Sequence, residues 1–349
     1  MPNDNFMIEV TARDFDVDQI ASNGEFTLYG ALRKGGTEEI EAPEGTWTTH
    51  VAGVWHFVLL QCPSGNVNRV EQLHIPRYQM AEMFPTLIRA GEQHPTIRPI
   101  QNESLVLLQG DKIGFVGFGN WFPGQDLPLS TEFTERLRSD LPLLDEAQKL
   151  VEEKDDIYFL SSETTPAGHP VESPSYKLIQ AIAFEKLTLG KLDAGNFGIY
   201  SAYCTYKDFE TSVQMPDELI SELVSGQFEY SPDDVDAEVM QIFMDTQKKV
   251  LTQPIWGEGI SMYLADAAKI LSQGMASLTR TQRVQFILMN GMHSAGLFLP
   301  LAAVTGVISF DRYAHLKSQG LQPDSPEEQD LRKETAYIQL YGELAGSNH

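Results

Sequence analysis

Four carboxylates near the N-terminus have the spacing of a calcium-binding loop. Asp14, Asp16 and Asp18 alternate along the chain, and Glu25 stands eleven positions after the first of them, as in the loop of an EF-hand. The sixth position of such a loop is normally glycine, which allows a sharp turn, but here it is Gln19. Because the preceding residues alternate like a strand, we interpret the aspartates as the polar face of a strand end and predict no metal site.

A possible nucleophile is Ser294, which follows His293 at the end of the apolar run over residues 284–296. A strand, a tight turn bearing a serine and then a helix form the nucleophile elbow of α/β-hydrolases, which this run resembles. The close packing of that elbow requires glycine two residues before the serine, whereas Met292 stands there. A serine hydrolase is therefore an alternative hypothesis rather than the favoured one.

Few residues of the chain could serve as the acid and the base that Ser294 would need. Asp311 and His315 follow Ser294 too closely for the hydrolase topology, and only His349 lies farther along. Asp311 and His315 are four residues apart on a predicted helix, where a local pair explains them. We favour a serine in a buried helix and predict no catalytic residues.

His56 and His74 are predicted to lie on opposite faces of a hairpin. If residues 63–66 form its loop, the resulting register places His56 opposite Leu73 and His74 opposite Trp55. The two histidines would then not share a metal ion.

Acidic residues dominate the segment between residues 208 and 245, which contains no Lys or Arg. Some of these acids begin helices and stabilise the first turn, and a solvated helical face is the alternative explanation. Solvated helices usually interleave lysines, however, and this segment does not. We predict that it binds a basic protein, for example a nucleic-acid-binding one, as an adaptor or inhibitor. The predicted contact residues are Asp217, Glu218, Glu222, Glu229, Asp233, Asp234, Asp236 and Glu238.

Two aromatic residues form a second candidate contact. Trp121 and Phe122 lie between turn-forming residues in the segment 117–124, and large aromatic side chains are enriched in binding hot spots. The alternative is that both rings fold back onto the core.

The overall charge limits the classes of partner. The chain has 25 Lys and Arg against 49 Asp and Glu, a net charge of −24, which argues against direct binding of nucleic acid or of an anionic membrane. Cys62 and Cys204 form no C-x-x-C pattern, and the N-terminus has no secretory signal. We therefore expect a cytoplasmic protein. No phosphate-binding glycine loop occurs, so no cofactor is predicted.

Residues 284–310 contain no charged side chain and are long enough to cross a bilayer. Polar residues and Pro300 interrupt the run, so two buried helices, or a strand and a helix, explain it better than membrane insertion. Membrane association through this segment stays a further alternative.

The fold predicted from these patterns is α+β. Residues 1–127 read as an antiparallel β-sandwich or partly open barrel, and residues 128–349 as a mainly α-helical domain. A hairpin is expected around Gly110 and Asp111. In the second part, the run Asn196–Tyr206 is predicted as a strand.

Several helices of the second part have start and stop signals. Residues 176–189 are predicted to end at Gly190, residues 217–225 at Gly226, and residues 258–273 before Gly274. Ser325 begins the last predicted helix with a capping box.

Overall fold

The computed structural model describes residues 18–22, 26–33, 35–42, 45–61, 68–88, 96–100, 104–109, 112–117, 127–195, 197–208, 217–293, 296–322 and 325–346. The chain divides into two compact units. The N-terminal unit comprises residues 1–162 and 171–200, and the C-terminal unit comprises residues 163–170 and 201–349. The described residues form a mixed α+β protein, which confirms the predicted class.

The strands of the described residues, in chain order, are β1 (Asp18–Ser22), β2 (Phe26–Arg33), β3 (Gly36–Ala42), β4 (Gly45–Val51), β5 (Val54–Gln61), β6 (Asn68–Pro76), β7 (Thr96–Ile100), β8 (Ser104–Gln109), β9 (Lys112–Gly117), β10 (Leu127–Pro128), β11 (Glu152–Lys154), β12 (Ile157–Thr164) and β13 (Pro170–Ser173). They form sheets in the orders β1-β2-β5-β6, β10-β7-β8-β9, β11-β12-β13 and β3-β4. Gln109 pairs with Lys112 across the hairpin predicted at residues 110 and 111.

The helices are α1 (Arg77–Ile88), α2 (Thr131–Arg138), α3 (Leu141–Leu150), α4 (Tyr176–Leu189), α5 (Ile199–Asp208), α6 (Asp217–Phe228), α7 (Ala237–Val250), α8 (Leu264–Ala276), α9 (Arg280–His293), α10 (Phe298–Val304), α11 (Phe310–Ser318) and α12 (Pro326–Gly346). A short 3₁₀ helix, Pro232–Asp234, precedes α7. The predicted limits of α4 are confirmed: Ser175 caps it through the N–H of Leu178, and Gly190 follows with φ 78°.

The predicted register of the β5–β6 hairpin is wrong by one residue. Gln61 pairs with Asn68, as the loop predicts, but the pairing then shifts between Leu59 and Leu60, because β6 carries one additional residue. Such a bulge moves every later residue to the opposite face. His56 therefore pairs with His74, and their buried rings stack with centroids 4.2 Å apart and an interplanar angle of 15°.

The core of the N-terminal unit contains an aromatic cluster between the first sheet and α2. The ring of Phe133 lies edge-on to Trp55 at 5.2 Å and to Phe57 at 5.9 Å. On α1, the guanidinium of Arg77 donates two hydrogen bonds to the carboxylate of Asp140, at 3.0 and 2.6 Å. The Asp140 side chain is 1 % exposed and that of Arg77 11 %, so this ion pair connects α1 to the α2–α3 junction within the protein interior.

The predicted strand Asn196–Tyr206 is wrong, because residues 199–208 form α5. The carboxylate of Glu185, on α4, accepts hydrogen bonds from the backbone N–H of Ile199 at 2.7 Å and of Tyr200 at 3.4 Å. It thus satisfies the first N–H groups of α5, as a local capping residue would. Glu185 is fully buried, and this burial raises its pKa to about 7, against the lowering effect of the two hydrogen bonds.

The core of the C-terminal unit forms around Phe243, Trp256 and Phe298, whose ring centroids lie 5.2 to 6.2 Å apart. The buried Gln247 holds the segment after α7 against this cluster. Its Oε1 accepts from the N–H groups of Ile255 and Trp256, at 2.8 and 2.9 Å, and its Nε2 donates to the carbonyl of Trp256. The backbone around Trp256 is therefore fixed by a side chain of the preceding helix.

Two further predictions about the C-terminal unit are corrected, and the alternative of a nucleophile elbow lacks its strand. Residues 284–293 belong to α9, so the strand that a nucleophile elbow requires before Ser294 is a helix. The helix predicted at 258–273 begins at Leu264 and continues through Gly274, which is buried against Val250 and Leu251. Gly226 does not end α6, which continues to Phe228. Gly226 and Gly274 therefore lie inside α6 and α8, and neither glycine ends its helix.

Candidate partner-binding groove

Helix α6 presents more apolar surface than its own packing buries. It packs on α8 and buries Ile220 and Val224. Leu219 and Leu223, on the neighbouring stripe, stay partly exposed. Because residues three and four apart share a helix face, this stripe continues through Gly226 to Tyr230, just beyond the end of the helix. The helix thus carries a second apolar face that the described core does not cover.

This second face forms one wall of a groove of about 450 Å³, here called the α6–α9 groove. The opposite wall comes from α9 and from the start of the segment that follows it. The residues lining the groove are Leu219, Glu222, Leu223, Gly226, Gln227, Glu229, Tyr230, Ile287, Asn290, Gly291, Gly296 and Leu297. The volume falls within the range of known ligand sites.

Three glycines widen the α6–α9 groove. A Cβ atom built on Gly226, Gly291 or Gly296 would meet no atom within 4 Å. Gly296 has φ 76° and so needs glycine for its backbone conformation. Gly226 and Gly291 lie within helices, where glycine is unfavourable by about 1 kcal/mol relative to alanine. Their side-chain positions are open space in the groove rather than close contacts in a core.

Five acids on the segment from α6 to the 3₁₀ helix are exposed and form no ion pair with any described residue. They are Glu218, Glu222, Glu229, Asp233 and Asp234, here called the five acids. Glu222 and Glu229 also line the groove. Like charges one helical turn apart, as at Glu218 and Glu222, repel each other. A cation placed beside them would relieve this repulsion.

The other acids of the predicted contact set have local structural roles. Asp217 begins α6. Asp236 caps α7 by accepting from the N–H of Glu238 at 2.8 Å. The carboxylate of Glu238 forms an ion pair with Arg312 on α11. Asp236 and Glu238 are therefore engaged within the unit, in contrast to the five acids.

Tyr230 lies at the edge of the groove with 63 % of its surface exposed. Its backbone is nevertheless held in place, because its carbonyl accepts a hydrogen bond from the indole N–H of the buried Trp256 at 3.3 Å. A tyrosine on a fixed backbone loses little conformational freedom on binding and is a frequent hot-spot residue. The geometry therefore provides a pre-ordered aromatic contact beside the groove.

Most of the remaining predicted site residues lie outside the part of the chain that the structure describes. Trp121, Phe122, Asp14, Asp16, Glu25 and Ser294 lie outside the described residues, and Asp18 begins β1. His293 is the last residue of α9, and Asp311 and His315 lie on α11. Burial, together with Arg312 and Arg332, lowers the pKa of His315. Within the described ranges, no three His, Cys, Asp or Glu side chains are grouped closely enough to hold a metal ion.

The uncharged run at residues 284–310 includes the end of α9, all of α10 and the first residue of α11. Over the part of the chain that the structure describes, no helix combines the length and the apolar character needed to span a membrane.

The acids of this site were predicted from the sequence, but its apolar lining residues were not. The signal for Leu219 and Leu223 was present, since the apolar positions 219, 220, 223 and 224 form a wider stripe than one packing partner needs. The wall from α9 had no such signal, because Ile287 and Gly291 lie some sixty residues away in sequence. No protein-family model matches the chain, and neither does any curated protein or solved structure, so the groove's own geometry is the basis for assigning a function.

Proposed function

We propose that the protein is a non-catalytic binding protein, an adaptor or inhibitor, whose C-terminal unit binds a basic protein partner. The observation that supports this proposal is the presence of five exposed acids without an ion-pair partner among the described residues, two of them lining an apolar groove. Charge would steer the partner towards the surface, and the apolar groove would supply contact area that charge alone does not.

The electrostatics favour a basic protein over the other classes of partner. Nucleic acid and anionic lipid carry the same sign of charge as this surface and would be repelled. Where the basic partner is a nucleic-acid-binding protein, the acidic surface would compete with the nucleic acid for it. The cytoplasmic location, and the sandwich or partly open barrel of residues 1–127, stay predictions beside this proposal.

Affinity purification from the native host at low ionic strength, followed by elution in a salt gradient, tests the proposal. We expect a basic protein in stoichiometric amount that is released as salt rises, because exposed charge interactions are screened. The test variant neutralises the five acids through E218Q, E222Q, E229Q, D233N and D234N, and should lose that protein.

A matched control neutralises five exposed acids of the N-terminal unit. It carries E132Q, E135Q, E153Q, D155N and D156N and so has the same change in net charge. Retention of the partner by this control and its loss by the test variant would support the α6–α9 surface. Equal binding by both variants, or elution that does not depend on salt, would refute the proposal.

A further inference from the structure

We infer that the α6–α9 groove receives an α-helical segment of the basic partner, one that carries aliphatic side chains beside lysine or arginine. This inference rests on the proposed function and deepens it by naming the shape and the chemistry of the bound segment. Three observations carry it: the groove's two walls, its glycines and the position of its acids.

The walls favour a helix over an extended strand. An added strand would need an exposed sheet edge with unpaired backbone groups, whereas α6 and α9 satisfy their backbone groups internally. The stripe from Leu219 to Tyr230 covers twelve residues, and its eleven steps correspond to about 16 Å at the rise of an α-helix. That length matches three turns of a ligand helix, whose anchors would recur at positions i, i+3 or i+4, and i+7.

The glycines set the size of the anchor that fits. With no Cβ at Gly226 on one wall and none at Gly291 on the other, a side chain can enter beside Leu219, Leu223 and Ile287. These aliphatic side chains are only partly buried in the free protein. Leucine, isoleucine or methionine on the ligand would complete their burial and remove further apolar surface from water.

The acidic side chains favour a ligand that carries positive charge next to its aliphatic anchor. Glu222 lines the groove within α6, and Glu229 lines it seven residues later, about two helical turns along the wall. A ligand helix with lysine or arginine on either side of its aliphatic stripe would bring cations to both carboxylates. An acidic or neutral amphipathic helix would leave them without a counter-charge and would bind more weakly.

The test uses the full chain and two synthetic peptides of about 14 residues, which corresponds to four helical turns. The first peptide places leucines at i, i+3, i+4 and i+7 among lysines. The second keeps the lysines and replaces every leucine with glutamine. We expect the first peptide to bind at least about ten-fold more tightly at low ionic strength, as measured by fluorescence anisotropy, since a buried anchor typically contributes that much.

Two protein variants then locate the binding site. G226L and G291L, made together, fill the groove from both walls and leave all acids in place. G320L is the matched control, since Gly320 is also exposed, its added Cβ would meet no atom within 4 Å, and its φ is not positive. We expect the groove variant to lose most of the preference for the leucine peptide and the control to keep it.

The outcomes separate this inference from the proposed function. If neutralising the five acids weakens both peptides but the groove variant discriminates as the wild type does, the acidic surface stands and the helix-in-groove inference is overturned. If neutralisation changes neither affinity, the proposed function itself fails.

A second readout does not depend on the leucine variants folding. A photo-leucine at the central anchor of the peptide should crosslink the wild-type protein at α6 and α9, identified by mass spectrometry. Crosslinks elsewhere would overturn the inference. A small molecule that stays bound to the protein in native mass spectrometry, and that the peptide does not displace from the groove, would overturn it as well.

Discussion

The carboxylate of Glu185 accepts a hydrogen bond from the backbone N–H of Ile199 at 2.7 Å, so a buried acid on one helix supplies the N-terminal cap of the next. No lysine or arginine is needed for this contact, because the first turn of a helix carries partial positive charge. Burial nevertheless disfavours the ionised form more than the hydrogen bonds favour it, and the pKa of Glu185 rises from 4.5 to about 7.

This raised pKa predicts a stability that falls as pH increases. Between about pH 4.5 and 7 the folded protein retains a proton on Glu185 that the unfolded chain has lost, so the free energy of unfolding decreases across that window and levels off above it. Glu185→Gln has no such titration. We expect it to match the wild type at pH 4, below both pKa values, and to be more stable at pH 8, by up to about 3 kcal/mol.

Urea unfolding at several pH values, followed by circular dichroism, measures this difference. Glu153→Gln, at an exposed position on β11, is the control and should follow the wild type. A Glu185→Gln variant that keeps the wild-type dependence on pH would contradict the assigned pKa.

The stacked pair His56 and His74 predicts energetic coupling across β5 and β6. Replacing either ring with alanine removes the same contact, so the effects of His56→Ala and His74→Ala on the free energy of unfolding should be non-additive by about 0.5 kcal/mol or more. Denaturation of the two single variants and the double variant measures this coupling. The combination of His56→Ala with Glu146→Ala, on the exposed surface of α3, should be additive. Additivity of the histidine pair would argue for the register predicted from the loop.

Two helix glycines are predicted to respond in opposite ways to the same substitution. Gly226→Ala adds a methyl group in open space and should stabilise the protein by up to about 1 kcal/mol through helix propensity. Gly274→Ala places its Cβ 2.9 Å from the carbonyl oxygen of Val250 and 2.6 Å from Leu251 Cδ2, and should destabilise it by about 1–3 kcal/mol. Thermal denaturation of both variants tests the pair. A destabilised Gly226→Ala would mean that the groove is filled in the free protein.

The interior ion pair of Arg77 and Asp140 predicts a large cost for removing one partner alone. Arg77→Met leaves the Asp140 carboxylate buried without its counter-charge, which should cost about 3–5 kcal/mol. Arg77→Met combined with Asp140→Leu should recover part of that loss, since no buried charge remains. Lys149→Met, which removes an exposed ion pair with Glu146, should leave the stability close to that of the wild type. Chemical denaturation measures these stabilities. If Arg77→Met alone and the double variant lose the same amount of stability, the charge on Asp140 is compensated elsewhere.

Local signals in the sequence predicted the elements that have local causes. Ser175 and Gly190 define both ends of α4, and Ser325 caps α12 by accepting from the N–H of Glu328. Helix α5 was predicted as a strand because its cap, Glu185, lies fourteen residues before Ile199. The first residues of α5 show no capping side chain of their own, and the run of aromatic residues suggested a strand.

The candidate site divides in the same way. Its charges could be predicted, since the acids of α6 and of the following turn are adjacent in sequence. Its groove could not be predicted, because the contribution of Ile287 and Gly291 depends on how α9 packs beside α6. In addition, Gly226 is of the residue type that commonly ends a helix, yet it lies inside α6.

The additional residue in β6 has a consequence for how this hairpin tolerates insertions and deletions. Side chains on a strand alternate between two faces, so the parity of the residue count between two positions of a strand decides whether they share a face. The bulge between Leu59 and Leu60 changes that parity once, between the loop and the histidines. Deletion of Val70, the additional residue of β6, would restore regular pairing and leave His56 opposite His74. Deletion of one residue between the bulge and His74 would instead place His56 opposite Ile75 and move His74 to the other face of the strand. The hairpin therefore keeps its histidine pair when the bulge residue is lost, and loses the pair when one residue is removed from the regularly paired part of β6.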